Sequence, residues 1–333
     1  MLTDWRLAVT AAIFCTGVLV TCIETSAQSI PKEVAARTEI YAIPSLTISD
    51  QQFLSGDANG KQVTVAGEFR IAQGPGKLPV VVLMHGSSGV GAGMDPWVRH
   101  FNTMGISTFV IDGFSGRGLT AVGPNQALLG RLNFILDIYR SLEILAKHPR
   151  VDPDRIVLMG FSRGGQATLY ASLDRFQKLW NKSGAQFAAY IPFYPDCSTS
   201  YATDTEIAAR PIRIFHGTPD DYNPVASCKE YLARLQQAQR DVVLTEYPDS
   251  EHGFDAGLLG VRTSAVSANA QTVRNCRIKE GEGGVLMNDD TKSPFTYKDG
   301  CVALDPHVGG NPVTAQEARK AVSDFLQALF KLG

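Results

Sequence analysis

The stretch LMGFSRGGQATLYA, residues 158–171, decides the fold. It begins as an apolar run typical of a buried strand, passes through Gly-Phe-Ser-Arg-Gly-Gly, and continues with residues that favour a helix. Glycines on both sides of Ser162 indicate a bend so tight that side chains there would collide with the strand or the helix. We therefore predict that Ser162 projects from a strained turn between the two elements.

Strands and helices alternate on both sides of this turn. Strand patterns lie at residues 38–49, 61–72, 80–86, 106–113, 155–160, 187–194, 211–217 and 242–248, and helical patterns at 96–105, 128–147, 225–239 and 314–330. Continuous apolar runs such as VVVLMHG are typical of strands buried on both faces. The alternation predicts an α/β fold with a mostly parallel central sheet and helices on both faces.

Composition narrows the possible functions. The 333 residues are 44% hydrophobic, which is enough for one large core. Lys and Arg number 31 against 33 Asp and Glu, and no long basic run indicates a nucleic-acid partner. The six histidines lack metal-ligand spacing, so we expect neither a metal nor another cofactor. No sequence feature indicates an oligomeric state.

The first 27 residues have the pattern of a secretory signal peptide. A short polar start precedes the apolar run LAVTAAIFCTGVLVTCI, and small residues offer a cleavage point after Ala27. An uncleaved membrane anchor is the alternative, because the run is close to the shortest length that spans a bilayer. We expect an exported protein, periplasmic or secreted, in which residues 28–333 form a single domain with no stable membrane span.

Four cysteines follow the predicted cleavage point: Cys197, Cys228, Cys276 and Cys301. An even number in an exported chain favours disulfides, and the residues alone leave three pairings open. Two of these cysteines lie in residues 257–310, an irregular excursion rich in Gly, Asn, Asp and Ser. A stretch of that length without periodicity is either functional or tied down by crosslinks.

Ser162 occupies the position of a catalytic nucleophile. Gly-x-Ser-x-Gly between a strand and a helix is the nucleophile elbow of α/β-hydrolases, in which the next amide, here that of Arg163, points at a developing oxyanion. The second oxyanion donor should follow an earlier strand, and the amide of Ser87 after Gly86 in LMHGSSGVG fits. The alternatives are a bystander serine in a glycine-rich turn and an ordinary glycine loop.

A serine hydroxyl needs a base, and in this fold the acid and the histidine follow the serine in that order. IFHGTPDDYNP supplies Asp220 and Asp221 after one predicted strand, and YPDSEHGFDA supplies His252 after the next. The carboxyl ends of parallel strands are where open α/β sheets place their sites. His307 in LDPHVGG is the competing candidate for the base.

With these residues the chain resembles the dienelactone hydrolase family, through VVLMHGSSG, VIDGFSGRG, VDPDRIVLMGFSRGG, HGTPDDYNP and YPDSEHGFD. The resemblance covers about residues 63–248 plus the final helix. It implies that the acid is Asp220, four residues before Pro224, and that His252, before Gly-Phe, is the base. The name-giving enzyme has a cysteine nucleophile where this chain has Ser162.

The resemblance implies a serine hydrolase of small-molecule esters or lactones, without identifying the substrate. A serine peptidase of the same fold, or a non-catalytic binding protein on this scaffold, is the alternative. Arginines near the site can bind a substrate carboxylate in the family, which makes Arg117 in DGFSGRG a candidate; pairing with a structural acid such as Asp112 is the alternative. Tyr222 is expected to line the pocket, and Tyr194 fits either the pocket wall or the core.

The fold also favours one disulfide pairing. Cys197 and Cys228 each follow the carboxyl end of a strand, and in this fold those strands are neighbours about 4.8 Å apart. Their loops can therefore reach the roughly 5.5 Å Cα separation of a disulfide. Cys276 and Cys301 then pair with each other. We predict that Cys197–Cys228 braces the Asp220 loop and that Cys276–Cys301 orders a flap near the site.

Overall fold

A computed structural model describes residues 31–256 and 260–332. The predicted signal peptide lies outside these residues. The chain from Lys32 onward makes one compact unit. Within the described ranges, no helix combines the length and the apolar character needed to cross a bilayer.

An eight-stranded sheet forms the centre of the molecule. Its strands are β1 Arg37–Thr47, β2 Lys61–Ile71, β3 Leu78–Met84, β4 Ser107–Asp112, β5 Val151–Phe161, β6 Ala189–Phe193, β8 Ile212–Gly217 and β9 Val242–Tyr247. They lie in the order β1-β2-β4-β3-β5-β6-β8-β9. All neighbours from β4 to β9 pair in parallel, whereas β2 is antiparallel to both β1 and β4. The predicted mostly parallel sheet is therefore confirmed.

Helices cover both faces of this sheet. They are α1 Asp50–Ser55, α2 Asp95–Thr103, α3 Asn133–Ala146, α4 Arg163–Tyr170, α5 Asp174–Trp180, α6 Val225–Gln237 and α7 Pro312–Phe330. Alternate residues of β3 face opposite sides, so that Val82 joins a core with α3, α4 and α6 while Val81 joins a core with α2 and α7. Burial on both faces explains why β3 and β5 read as continuous apolar runs.

The predicted element bounds need two corrections. Helix α3 begins at Asn133 rather than at residue 128, because Gln126–Leu128 form a separate 3₁₀ turn and Leu129 is extended. The short helices α1 and α5 escaped prediction, since each has at most seven residues and too few turns to establish a helical period.

The excursion is built from short strands, and we call its described part, residues 260–310, the roof segment. Its strands are β10 Ala265–Val266, β11 Ile278–Glu280, β12 Leu286–Asn288, β13 Ser293–Pro294 and β14 His307–Val308. β10 pairs with β14, and β11 to β13 form a small sheet whose edge pairs with β7, Thr199–Ser200. Strands of two or three residues have no readable period in sequence.

Both disulfides of the predicted pairing are present. Cys197–Cys228 and Cys276–Cys301 each have a Cα separation of 5.0 Å. The first joins the loop after β6 to helix α6, and the second closes the roof segment on itself. The first bridge therefore lies beside the loop that carries Asp220, and the second encloses residues 277–300.

Candidate active site

Ser162 lies between β5 and α4 in a backbone conformation that few side chains adopt. Its φ is 55° and its ψ is −116°, in a region that costs a non-glycine residue about 1–3 kcal/mol. The surrounding structure compensates this cost: the Ser162 amide donates to the Phe193 carbonyl at 3.0 Å, and the Ser162 carbonyl accepts from the Gln166 amide at 2.8 Å. The predicted strained turn is therefore present.

The elbow glycines are needed because backbone surrounds them. A Cβ on Gly160 would lie 2.3 Å from the Gly164 carbonyl oxygen, and one on Gly164 would lie 2.2 Å from the Met84 carbonyl oxygen. A Cβ on Gly165 would lie 2.4 Å from the Phe193 carbonyl oxygen. Real Cβ contacts are never this short, so α4 can approach the sheet only with glycine at these positions.

A chain of hydrogen bonds connects Ser162 to two residues from later strands. Ser162 Oγ lies 2.8 Å from His252 Nε2, and His252 Nδ1 lies 2.8 Å from Asp220 Oδ2. The second oxygen of Asp220 accepts from the amides of Tyr222 and Asn223, at 2.9 and 2.8 Å. Because the carboxylate faces Nδ1, that nitrogen carries the proton and Nε2 is free to accept one.

All three side chains of this chain of bonds are more than nine-tenths buried. Low local dielectric strengthens the hydrogen bonds between them. Ser162, Asp220 and His252 follow the carboxyl ends of β5, β8 and β9, as the sequence predicts. The parallel sheet brings these ends to one edge, although the residues are up to 90 positions apart.

Two backbone amides beside Ser162 have no acceptor among the described residues: those of Ser87 and Arg163. The loop after β3 is pressed against the elbow, because a Cβ on Gly86 would lie 3.2 Å from Ser162 Cβ. His85 fixes this loop, since its Nδ1 donates to the Gly86 carbonyl at 2.7 Å and its Nε2 accepts from the Gly113 amide at 3.1 Å.

Burial lowers the pKa of His85 to about 4, so the ring stays neutral and keeps both of these bonds at neutral pH. His85 thus supports the geometry of the loop that carries Ser87.

Two tyrosine rings pack against His252. The ring of Tyr194 lies 4.7 Å and that of Tyr222 4.6 Å from the imidazole, both edge-on. The Tyr194 hydroxyl donates to the buried carboxylate of Asp255 at 2.5 Å. The same carboxylate also accepts from Trp97 Nε1 at 2.8 Å. Burial raises the pKa of Asp255. Sequence reasoning missed Asp255, although an acid three residues after His252 in HGFDA was the available signal.

Tyr222 lines a cavity that adjoins Ser162, as predicted. Its hydroxyl accepts from Gln126 Nε2 at 3.3 Å, and burial raises the pKa of Tyr222 to about 12, so the hydroxyl keeps its proton at neutral pH. The polar neighbours Gln126, Arg131 and Gln166 also line the cavity, and sequence reasoning missed them. They lie in irregular turns or on a helix, where their sequence surroundings resemble those of solvated residues.

Arg117 does not take the predicted part in substrate binding. All five of its guanidinium hydrogens are used: Nε donates to Thr47, Nη1 to the Gly113 carbonyl and Asp137, and Nη2 to the Leu46 carbonyl and Asp137. No donor is left for a substrate carboxylate. Arg117 does pair with a structural acid, as the alternative predicted, but that acid is Asp137. The carboxylate of Asp112 instead accepts hydrogen bonds from the backbone amides of Phe114 and Ser115.

Asp221 and His307 bind each other and not Ser162. Asp221 accepts from the His307 amide at 2.7 Å, from its Nδ1 at 3.0 Å, and from Arg274 at 2.9 Å. Asp221 is therefore held by the roof segment, which folds back onto it. His307 is half exposed and does not serve as the competing base.

The roof segment reaches the site at several points. The Gln271 side-chain oxygen accepts from the backbone amide of Gln126 at 2.9 Å. The Thr272 hydroxyl donates to the Tyr222 backbone carbonyl at 2.6 Å. The Gly309 backbone amide donates to the His252 backbone carbonyl at 2.9 Å. These bonds tie the excursion to both loops that carry the acid and the histidine.

A cavity of about 40 Å³ adjoins Ser162. Its lining residues are Ser87, Gln126, Arg131, Ser162, Arg163, Gln166, Asp196, Tyr222, Asn223, Gln271, Thr272, Val273 and Tyr297. A larger surface groove of about 720 Å³ lies along β1, β2 and α3 and contains none of the site residues. Among the described residues, no cluster of His, Cys, Asp or Glu could hold a metal ion.

The model of the dienelactone hydrolase family matches residues 66–275. Among solved structures, a dienelactone hydrolase-like promiscuous phosphotriesterase from metagenomic libraries is 14% identical, over 89% of this chain and 98% of its own, with a TM-score of 0.53. Esterase 2 of Thermogutta terrifontis is 18% identical, over 58% and 81%, with a TM-score of 0.46. A carboxylesterase from Lactobacillus plantarum WCFS1 is 13% identical, over 66% and 85%, with a TM-score of 0.48. No curated protein matches the sequence.

Proposed function

The chain belongs to the dienelactone hydrolase family, and we propose on that premise that it is a serine hydrolase that cleaves carboxylic esters or lactones through an acyl-enzyme. The observation that carries the proposal is the unbroken hydrogen-bond chain from Ser162 through His252 to Asp220. An inactive binding protein on this scaffold would have no need to keep a buried, strained serine aligned with a base.

In the proposed reaction, Ser162 Oγ attacks the ester carbonyl carbon while His252 Nε2 takes the hydroxyl proton. The imidazolium then gives that proton to the leaving alcohol as the carbon–oxygen bond breaks. Water repeats the sequence on the acyl-enzyme and releases the acid. Asp220 holds the histidine in the required tautomer and stabilises its charged form. No step calls for a cofactor.

The carbonyl oxygen becomes negatively charged in both tetrahedral intermediates, and we assign the amides of Ser87 and Arg163 as its donors. Support comes from the lack of any described acceptor for either amide and from the position of Arg163 at the start of α4. A helix N-terminus adds partial positive charge where the oxyanion forms.

We propose that the enzyme is exported, either to the periplasm or out of the cell. We also propose that it has a single catalytic domain. Two disulfides are compatible with export, because such bonds persist in oxidising compartments. The substrates we propose are small-molecule esters, in keeping with membership of the dienelactone hydrolase family.

The test is covalent labelling followed by turnover. A small fluorophosphonate should label the wild-type protein and Ser115→Ala, a change at an exposed serine, but not Ser162→Ala. Short aryl esters should then be hydrolysed much faster than the matching anilides. Labelling without ester turnover, or faster cleavage of the anilides, would favour the binding protein or the peptidase instead.

A further inference from the structure

Tyr194 touches the proposed base without lining the cavity that adjoins Ser162. Its ring lies 4.7 Å from the imidazole of His252, and it is not among the described residues of the cavity wall. We infer, on the basis of the proposed function, that Tyr194 is a positioning residue for His252 and that Asp255 fixes Tyr194. The rate of the reaction should then depend on two residues that lie outside the hydrogen-bond chain of the nucleophile, the base and the acid.

His252 has to keep its ring in one orientation through both halves of the proposed reaction. In the free protein its two nitrogens are bonded to Asp220 and to Ser162, each at 2.8 Å. Once Ser162 carries the acyl group, its oxygen has no proton to donate, and Nε2 must take a proton from water. A single hydrogen bond at Nδ1 does not fix the plane of the ring in that state. Because a displacement of about 1 Å can cost about 10² in rate, packing that fixes the ring contributes to turnover.

The backbone of Tyr194 is strained and is bonded on both sides. Its φ of 36° lies in the left-handed region, which a bulky side chain rarely adopts. The Tyr194 amide donates to the Phe215 carbonyl at 2.8 Å, and the Tyr194 carbonyl accepts from the Asn223 side chain at 2.9 Å. The Asn223 amide in turn donates to Asp220 at 2.8 Å. Strained residues persist only where the surrounding structure fixes them, and here that structure includes the loop of the acid.

The hydroxyl of Tyr194 fixes the other end of the side chain. It donates to Oδ1 of Asp255 at 2.5 Å, while Oδ2 of the same carboxylate accepts from Trp97 Nε1 at 2.8 Å. All three side chains are more than nine-tenths buried. A hydrogen bond to a carboxylate is stronger than one between neutral groups, and low local dielectric strengthens it further. The ring of Tyr194 is therefore fixed both at its backbone and at its hydroxyl.

The bond between Tyr194 and Asp255 joins two loops of the site. Tyr194 follows β6, whereas Asp255 lies three residues after His252 in the loop after β9. The backbone of this second loop is held separately, since the His252 carbonyl accepts from the Gly309 amide at 2.9 Å. The position of the His252 backbone and the orientation of its ring thus depend on different contacts, and Tyr194 supplies one of those to the ring.

Tyr222 is the other tyrosine against His252, with its ring 4.6 Å away. Tyr222 also lines the cavity, where its hydroxyl accepts from Gln126 at 3.3 Å. A change at Tyr222 would therefore alter contacts in the cavity together with the packing of His252. Tyr194 is absent from the described cavity wall, so a change there separates the positioning of the base from the binding of the substrate.

Tyr194→Phe keeps the ring and removes the hydroxyl that binds Asp255. Tyr139→Phe is the matched control, because Tyr139 on α3 is also buried and its hydroxyl donates to the carbonyl of Ala171 at 2.7 Å. With p-nitrophenyl acetate we expect Tyr194→Phe to lower kcat at least fivefold without raising KM, and Tyr139→Phe to change kcat less than twofold. Equal kcat values in the two variants, or a raised KM with unchanged kcat in Tyr194→Phe, would overturn the inference.

Fluorophosphonate labelling separates positioning from folding. The final extent of labelling counts the competent Ser162 sites, whereas the rate of labelling depends on the base that activates the serine. Tyr194→Phe should reach the same extent as the wild type at a rate at least threefold lower. A lower extent at an unchanged rate would mean that Tyr194 only stabilises the fold, which overturns the inference alone. A wild-type protein with neither labelling nor ester turnover would overturn the proposed function as well.

Asp255→Asn shows whether the carboxylate acts through Tyr194. We expect it to lower kcat per labelled site at least threefold in the wild type but less than twofold in the Tyr194→Phe background, where the partner hydroxyl is already absent. Equal factors in both backgrounds would overturn the assignment of Asp255. If Tyr194→Phe alone does not fold, the double variant, which also removes the buried charge, should still show the fivefold loss; wild-type kcat in the double variant would overturn the inference.

Discussion

The nucleophile elbow and the roof segment lie side by side but are held by different forces. The elbow consists of Ser162 between β5 and α4, with backbone packed against backbone at each glycine. The roof segment has strands of only two or three residues; hydrogen bonds and an ion pair at Asp221 attach it to the rest of the molecule, and one disulfide closes it on itself. The geometry of the reacting groups thus depends on close packing, whereas the shape of the site depends on the hydrogen bonds, the ion pair and the disulfide of the roof segment.

This difference predicts different consequences of change in the two regions. A change at the elbow should abolish the reaction or the fold, because no neighbouring atom can move aside in a close-packed core. A change in the roof segment should alter stability locally, together with the choice of substrate.

Two adjacent acids separate the regions most clearly. Asp220→Asn removes the carboxylate that orients His252, so we expect kcat on an aryl ester to fall by about 10⁴. Asp221→Asn changes only the attachment of the roof segment, and kcat should fall less than about tenfold. Steady-state kinetics of both variants give the comparison. Equal losses would show that Asp220 is not the catalytic acid.

Gly164→Ala tests the close packing of the elbow. The new Cβ would overlap the Met84 and His85 carbonyl oxygens, and we expect the free energy of unfolding to drop by at least about 3 kcal/mol. Gly93→Ala is the matched control, because nothing lies within 4 Å of its Cβ, and it should change stability by less than about 0.5 kcal/mol. Urea unfolding measures both; similar midpoints would contradict close packing at Gly164.

Removing the Cys276–Cys301 bond tests the crosslinking of the roof segment. In the chain-entropy model, closing a loop of this length contributes about 3 kcal/mol, so the variant with serine at both positions should lose about 2–3 kcal/mol. Limited proteolysis should cut first between residues 277 and 300, while fluorophosphonate labelling of Ser162 persists. Loss of labelling before any cleavage would mean that the elbow depends on the roof segment.

The smallest effect concerns pH and the bond between His307 and Asp221. The hydrogen bond to Asp221 raises the pKa of His307. Burial by itself would raise the pKa of Asp221, but the bonds of Asp221 to His307 and Arg274 outweigh burial and lower that pKa. The folded-state pKa of His307 therefore exceeds the unfolded value of about 6.5. The stabilisation is complete below that value and is lost as pH rises through the raised pKa.

Thermal unfolding across this pH range measures the effect. The difference in midpoint between the wild type and His307→Ala should be largest below about pH 6.5 and should shrink at higher pH. In an Asp221→Asn background the difference should lose this pH dependence. A gap that widens with rising pH would contradict the sign.

Much of the fold was predictable because its signals are local. Strands β3 and β5 are buried on both faces and therefore read as apolar runs, and the glycines around Ser162 mark the elbow. The fold class and the order of acid and histidine follow from these patterns. Helices α1 and α5 were not predictable, since six or seven residues contain fewer than two full turns.

The prediction for Arg117 failed for a different reason. A position after a strand indicates nearness to the site but not the direction of a long side chain. Asp137, its partner, lies on α3, where it reads as an ordinary helical acid. Only the packing of α3 against β1 brings the two charges together, with Thr47 of β1 as a further acceptor. The packing of Tyr194 against His252, with its hydroxyl bonded to Asp255, likewise exists only once the loops after β6 and β9 meet.

The sequence by itself determined the α/β architecture, the elbow at Ser162 and candidates for the other reacting groups, because these depend on periodicity, glycine sterics and the order of strands. Only the tertiary structure decided what Asp221 binds, where Arg117 points, and which residues of the roof segment line the cavity. Those outcomes depend on contacts between residues far apart in the chain, and the free energy of such a contact exists only after packing has fixed the distance between them.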